Sequence, residues 1–111
     1  MTGRTAGENP HVHIDRRSFA LHQLVATKLE ADPGVLEIAR ANIARWRSLG
    51  HREVCLDEWE AILAGGQQAV VRFLRSSGQR ATRLRQSSPF VGVLSADERD
   101  EVFRAFRERG A

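Results

Sequence analysis

Between Gln67 and Leu94 the chain carries five arginines, Arg72, Arg75, Arg80, Arg83 and Arg85, and no acidic residue. A guanidinium is a planar fork of donors that pairs with carboxylates or phosphates two bonds at a time. The chemistry this run offers is recognition of an anion, whether the phosphates of a nucleic acid or an acidic groove on a protein. The run closes in RLRQSSPF, residues 83–90, where a basic helical stretch gives way to an apolar hook. Phe90, Val91, Val93 and Leu94 must be buried somewhere. They either fold back over a helical core as a lid, since a small domain needs every apolar residue it has, or they anchor a partner. On the anchoring reading Phe90 is the central contact with arginines at its rim. The partner-binding residues are then Arg83, Arg85, Gln86, Ser87, Ser88, Pro89 and Phe90.

The other residues capable of chemistry are scattered. His11 and His13 are two positions apart near the N-terminus, and His22 and His51 stand alone. A metal site needs three or four converging ligands, so no metal is expected. Asp57, Glu58 and Glu60 cluster at a helix start, where acids favour the helix dipole, and no second carboxylate pair answers them for acid–base work. Ser87 and Ser88 have no activating motif around them. Gly65-Gly66 lacks the lysine and hydroxyl residue that complete a phosphate loop. The single cysteine, Cys55, lies between Val54 and Leu56, reads as a packed apolar residue, and rules out an internal disulfide. Neither catalysis nor a cofactor is expected.

A second anion-binding arrangement is present in outline. Ala61, Gly65 and Val71 stand at the alanine, glycine and aliphatic positions of a helix-turn-helix. The helix after the turn would present Gln67, Gln68, Arg72 and Arg75, side chains suited to base edges and phosphates. Glu60 occupies a position where an apolar residue is usual, and Gly66 weakens the start of the second helix. The plainer reading is a short turn within a helical bundle.

The elements that must position these residues are helices. Asp15 can cap a first helix, with Ile14 stapled to Phe19, running to about Ala31 through Leu21, Leu24, Val25 and Leu29. Asp32 and Pro33 open a second, lined by Leu36, Ala39, Ile43 and Trp46 and stopped by Gly50. These two helices should form an antiparallel hairpin. Asp57 and Glu60 suggest a capping box for a third helix carrying Trp59, Ile62 and Leu63. A fourth starts at Gln67 with Val70, Phe73 and Leu74, is kinked or ended at Gly78, and cannot pass Pro89. Ser95 and Glu98 form the capping box of a last helix with Val102, Phe103 and Phe106. No useful strand alternation occurs. The expected fold is all-α: a flexible arm over 1–13, then a single helical domain over 14–111, a small bundle of four to five helices with an extended apolar segment before the last.

A chain of 111 residues suits one domain. Apolar residues make up 41% and charged residues 28%, near globular averages, so the chain should fold. No apolar run approaches the roughly 20 residues that span a bilayer, and no membrane role is expected. The N-terminus has no apolar core of the signal-peptide kind, so the expected compartment is the cytoplasm. Lys28 is the one lysine among 17 basic residues, a bias that a GC-rich genome produces without selection for function.

Two stretches carry a resemblance. IDRRSFALHQLVATKLEADPGVLEIARANIARW, residues 14–46, and RLRQSSPFVGVLSADERDEVFRAF, residues 83–106, resemble a group of small bacterial proteins, with RLRQSSPF the most recognisable piece. Members of that group look like antitoxin-like partners encoded beside toxin genes, some of the toxins being nucleotidyltransferase-like. The resemblance implies a neutralising protein–protein role and assigns no individual residues; the Gly65-Gly66 turn is not one of its features. The expected function is antitoxin-like binding of a toxin protein through the basic C-terminal half. The alternative is a small helix-turn-helix DNA-binding regulator using Gln67, Gln68, Arg72 and Arg75. Self-association is left open.

Overall fold

The first helix, α1, spans Pro10–Ala31 and is about 33 Å long at 1.5 Å per residue. The structure is a computed structural model that describes the backbone of residues 10–110 and the side chains of 16–107. The helix therefore starts ahead of the Asp15 cap expected from sequence. Proline suits a helical first turn, where it has no N–H to leave unpaired and its φ is already set. Most of the expected N-terminal arm lies outside the described residues, and residues 10–13 are helical.

Asp32 ends α1 by turning the chain: its Oδ1 accepts the Gly34 N–H at 2.8 Å. Helix α2, Val35–Ser48, begins just beyond Pro33. Its buried face is Val35, Leu36, Ala39, Asn42 and Ile43, helical spacing with one polar member. Gly50 closes it as expected, with φ +99°. The His51 N–H reaches the Trp46 carbonyl and the Gly50 N–H the Arg47 carbonyl, both at 3.0 Å. That pair of bonds is the Schellman closure, which needs the left-handed backbone glycine supplies cheaply.

Helix α3, Val54–Ala64, starts three residues before Asp57. The expected Asp57–Glu60 capping box is absent; both carboxylates instead accept from Arg47 of α2, at 2.7 and 2.9 Å. Gly66, at φ +93°, leads into α4, Gln67–Leu74. Of the kink or end that the sequence offers at Gly78, the structure has the end, with a second helix beyond it. After Leu74 the Ser76 hydroxyl accepts the Gly78 N–H at 3.0 Å, the chain turns, and α5 runs over Gln79–Arg85. This break makes six helices in place of four or five, with no strand among the described residues. Helix α6, Ala96–Gly110, carries the capping box read from the sequence. Ser95 Oγ accepts the Glu98 N–H at 3.1 Å, and Glu98 Oε1 accepts the Ser95 N–H at 2.7 Å.

The core is drawn from every helix except α6: Val25, Ala26 and Leu29 of α1, Ala39 and Ile43 of α2, Leu56, Trp59 and Leu63 of α3, Val70, Val71 and Leu74 of α4, and Leu84 of α5. Trp59 is fully buried at its centre, edge-on to Phe73 at 5.5 Å and to Phe90 at 5.8 Å between ring centroids. The chief neighbour of α1 is α4 rather than α2, so the expected hairpin is the weaker contact of the two. Helix α6 lies antiparallel against α1: Lys28 pairs with Glu98 at 2.8 Å, and the Arg17 guanidinium covers the Phe103 ring. No helix among the described residues is long and apolar enough to cross a membrane.

Candidate functional site

The hook folds inward. Phe90 is 5% exposed and packs between Trp59 and His22, and Pro89 is fully buried. Of the two fates open to the hook, the structure presents the lid. An outward anchor at Phe90 is corrected on this point: the ring fills the core beside Trp59, where a small domain gains most from it. Val91, 58% exposed, and Gly92, with φ +90°, form the outward tip.

The segment is fastened by side chains from three helices. Trp59 donates its indole N–H to the Leu84 carbonyl at 3.1 Å. Asn42, buried on α2, donates to the carbonyls of Pro89 at 2.7 Å and Val91 at 2.9 Å. Lys28 of α1 donates to the Val93 carbonyl at 3.2 Å. His22 donates through Nδ1–H to the Ser18 carbonyl at 2.7 Å, which leaves Nε2 to accept the Ser88 hydroxyl at 2.8 Å. Ser88 Oγ also accepts the Phe90 N–H at 3.2 Å. A turn without regular structure has carbonyls that water cannot reach once it is buried, and these donors meet that need. Burial pushes the His22 imidazole below its ordinary range; the Ser18 bond works against this and the Arg85 charge adds to it.

The remaining hook residues divide by role. Ser87 donates to the Leu84 carbonyl at 3.3 Å. Gln86 is exposed. Arg85 departs from the expected rim position: it is 6% exposed, donates to the Ser76 carbonyl at 2.9 Å and to Thr82 Oγ1 at 3.1 Å, and covers the Phe19 ring. Its stem and fork both serve the interior, which arginine allows because its charge is delocalised and weakly hydrated. Arg83 remains outside, in a two-bond pair with Glu58 of α3 at 3.0 and 2.8 Å. Arg80 approaches the same carboxylate at 3.7 Å and covers the Phe73 ring. The Arg83 bonds, with Arg80 adding to them, hold the Glu58 carboxyl below the usual carboxylate range.

The residues of the helix-turn-helix reading are split. Gln67 donates to the Leu29 and Glu30 carbonyls at 2.7 and 3.3 Å, finishing the C-terminus of α1. Arg75 makes a two-bond pair with Glu30 at 3.0 and 2.8 Å. Gln68 and Arg72, one turn apart, are exposed, and no interaction ties either side chain within the described residues. Val71 is buried as a helix-turn-helix needs, while Ala61, which should pack beneath the second helix, is exposed.

His22, Asn42 and Lys28 are the functional neighbours that sequence reading missed. His22 stood as an isolated histidine, yet it shares the register of Val25, Ala26 and Leu29, the buried face of α1. Asn42 interrupts the apolar face of α2 between Ala39 and Ile43, a sign of a buried amide with a partner. A shallow cavity of about 360 Å³ lies between α2 and α3, lined by Arg40, Ile43, Glu60, Leu63 and Ala64. Its charged groups are already engaged, Glu60 by Arg47 and Arg40 by Glu37 and the Leu63 carbonyl. Among the described residues no three His, Cys, Asp or Glu side chains converge as metal ligands would; the side chains of His11 and His13 lie outside them.

Helices α4 and α5 thus carry the exposed arginines Arg72, Arg80 and Arg83, and the hook closes the core. No protein-family model, curated protein or solved structure matches the chain.

Proposed function

We propose that this chain is a non-catalytic, antitoxin-like binding protein of the bacterial cytoplasm. It docks on an acidic face of a toxin partner through the exposed arginines of α4 and α5 and blocks that face sterically. The observation that carries the reading is uncompensated charge. Arg72 has no intramolecular partner among the described residues, and Arg80 and Arg83 share the one carboxylate of Glu58. The apolar side chains of the same helices, Val70, Val71, Leu74 and Leu84, face the core. A surface of this kind recognises by charge and shape rather than by a large apolar contact, and it steers association with an oppositely charged partner. This relocates the contact from the hook to Arg72, Arg80 and Arg83, with Gln86 and Val91 at the margin.

The test is co-expression. The product of the reading frame adjacent to this gene should arrest growth alone and be relieved by the full chain. Relief should fail for Arg72→Glu, whose side chain has no pair to lose among the described residues. Relief undiminished by Arg72→Glu moves the contact elsewhere; an innocuous neighbour removes the antitoxin reading.

DNA binding is the second reading, favoured by one observation: Gln68 and Arg72 are exposed a turn apart on α4. It is narrower than the full helix-turn-helix, because Gln67 and Arg75 are spent on the end of α1.

A further inference from the structure

Arg80 and Arg83 lie three positions apart on α5, so they leave the same face of that helix. Both turn to one carboxylate. Arg83 gives Glu58 of α3 two bonds, at 3.0 and 2.8 Å, and Arg80 stands 3.7 Å from Oε2 of the same group. The core sets the two forks from beneath. Arg80 covers the Phe73 ring, Phe73 stands edge-on to the fully buried Trp59, and Trp59 donates to the Leu84 carbonyl of α5. A pair of guanidiniums held in this way is organised before an anion arrives, which lowers what binding costs. The charge does not balance: two cations share one anion, and the other acids of α3, Asp57 and Glu60, are held by Arg47. The Arg80 and Arg83 side chains are 54% and 57% exposed, so an incoming group can reach them.

We propose that Arg80 and Arg83 form a carboxylate-binding site, which Glu58 fills in the free chain and from which a glutamate or aspartate side chain of the docked partner displaces it. The internal occupant shows the chemistry that the site takes: a planar two-oxygen anion matched to a planar fork. Displacement is easy, because an exposed ion pair is worth little in water and the Glu58 side chain, 24% exposed, stays within reach of solvent. A partner carboxylate carried in by other contacts, Arg72 among them, arrives at a high local concentration and outcompetes Glu58. Convergence of both forks on one group also separates this site from a nucleic-acid surface, whose basic side chains spread over successive phosphates.

The partner step rests on the binding reading above. The site itself is tested without a toxin, so the two fail separately: co-expression decides the first, and binding of poly-L-glutamate to the full chain decides the second. Affinity for poly-L-glutamate is measured at one low ionic strength for wild type, Glu58→Gln and Asp57→Asn, with circular dichroism checking each fold. Asp57→Asn makes the same change of charge one residue away and leaves Arg47 paired with Glu60. Removing the internal occupant should tighten binding by about two- to fivefold beyond Asp57→Asn. The gain should vanish when Arg80 and Arg83 are both replaced by glutamine. Glu58→Ala carries the test if Glu58→Gln does not fold. A Glu58→Gln protein that binds no tighter than Asp57→Asn overturns the site, and so does a gain that persists without Arg80 and Arg83. An equal gain for a duplex oligonucleotide overturns the carboxylate assignment in favour of phosphate.

Discussion

Replacing Phe90 by alanine removes a ring that is 5% exposed and stacked edge-on against the fully buried Trp59. The cavity it leaves is bounded by Trp59, by the His22 edge and by the Asn42-clasped backbone, none of which can collapse freely into the space. Truncations of this kind cost about 3–5 kcal/mol. A domain of this size has a total stability of about 5–15 kcal/mol, so the loss is a large share of what holds the fold. At about 4 °C or more per kcal/mol, the melting temperature should drop by at least about 12 °C. The assay is thermal and denaturant unfolding of wild type, Phe90→Ala and Val91→Ala, read by helical circular dichroism and by Trp fluorescence. Val91, 58% exposed at the tip of the same segment, serves as the control and should stay within about 0.5 kcal/mol of wild type. A Phe90→Ala protein as stable as Val91→Ala would refute the lid and return the hook to the role of a free anchor.

Asn42→Ala strips the donor from the buried Pro89 carbonyl and from the part-buried Val91 carbonyl. It should cost about 1–3 kcal/mol for each acceptor left dry, and an unchanged denaturation midpoint would show that water replaces the amide. Stability should fall as pH drops below about 6.5, because His22 binds its proton more readily in the unfolded chain than in the fold. That fall should be absent in His22→Gln. A second decline should follow at lower pH as Glu30, Glu58 and Glu98, each held below the ordinary carboxylate range by a cationic partner, are protonated; pH profiles of the melting temperature check both. If DNA binds through α4, Arg72→Ala should reduce the slope of log affinity against log salt by about one. Arg75→Ala, whose guanidinium is already paired with Glu30, should reduce it less.

What sequence reading captured was local. The Ser95–Glu98 box and the Gly50 stop are each settled by residues within a few positions, and both stand in the structure. Where a side chain had two suitors, local rules failed. Asp57 and Glu60 had the spacing of a capping box, but Arg47 from the neighbouring helix took both carboxylates. At Gly78 a kink and an end were both open from sequence, and the Ser76-capped turn beside it makes it an end. The hook was legible as apolar and extended, but its direction was not. Its clasps come from positions far back in the chain, His22 for Ser88 and Asn42 for Pro89, and no spacing rule links such pairs. Arg85 likewise reads as one more surface arginine until Ser76, Thr82 and Phe19 are seen around it. Among the arginines, sequence could show an acid-free run but not that Glu30 and Glu58, on other helices, answer part of it.

The most direct measurement of the central claim is the affinity of the full chain for the product of the adjacent reading frame, taken across salt concentrations for wild type, Arg72→Glu and Val91→Ala. Contact through the α4–α5 arginines predicts binding that weakens steeply with salt, a loss of about tenfold or more, or about 1.4 kcal/mol, for Arg72→Glu, and little change for Val91→Ala. Salt-independent binding that survives Arg72→Glu would contradict the account.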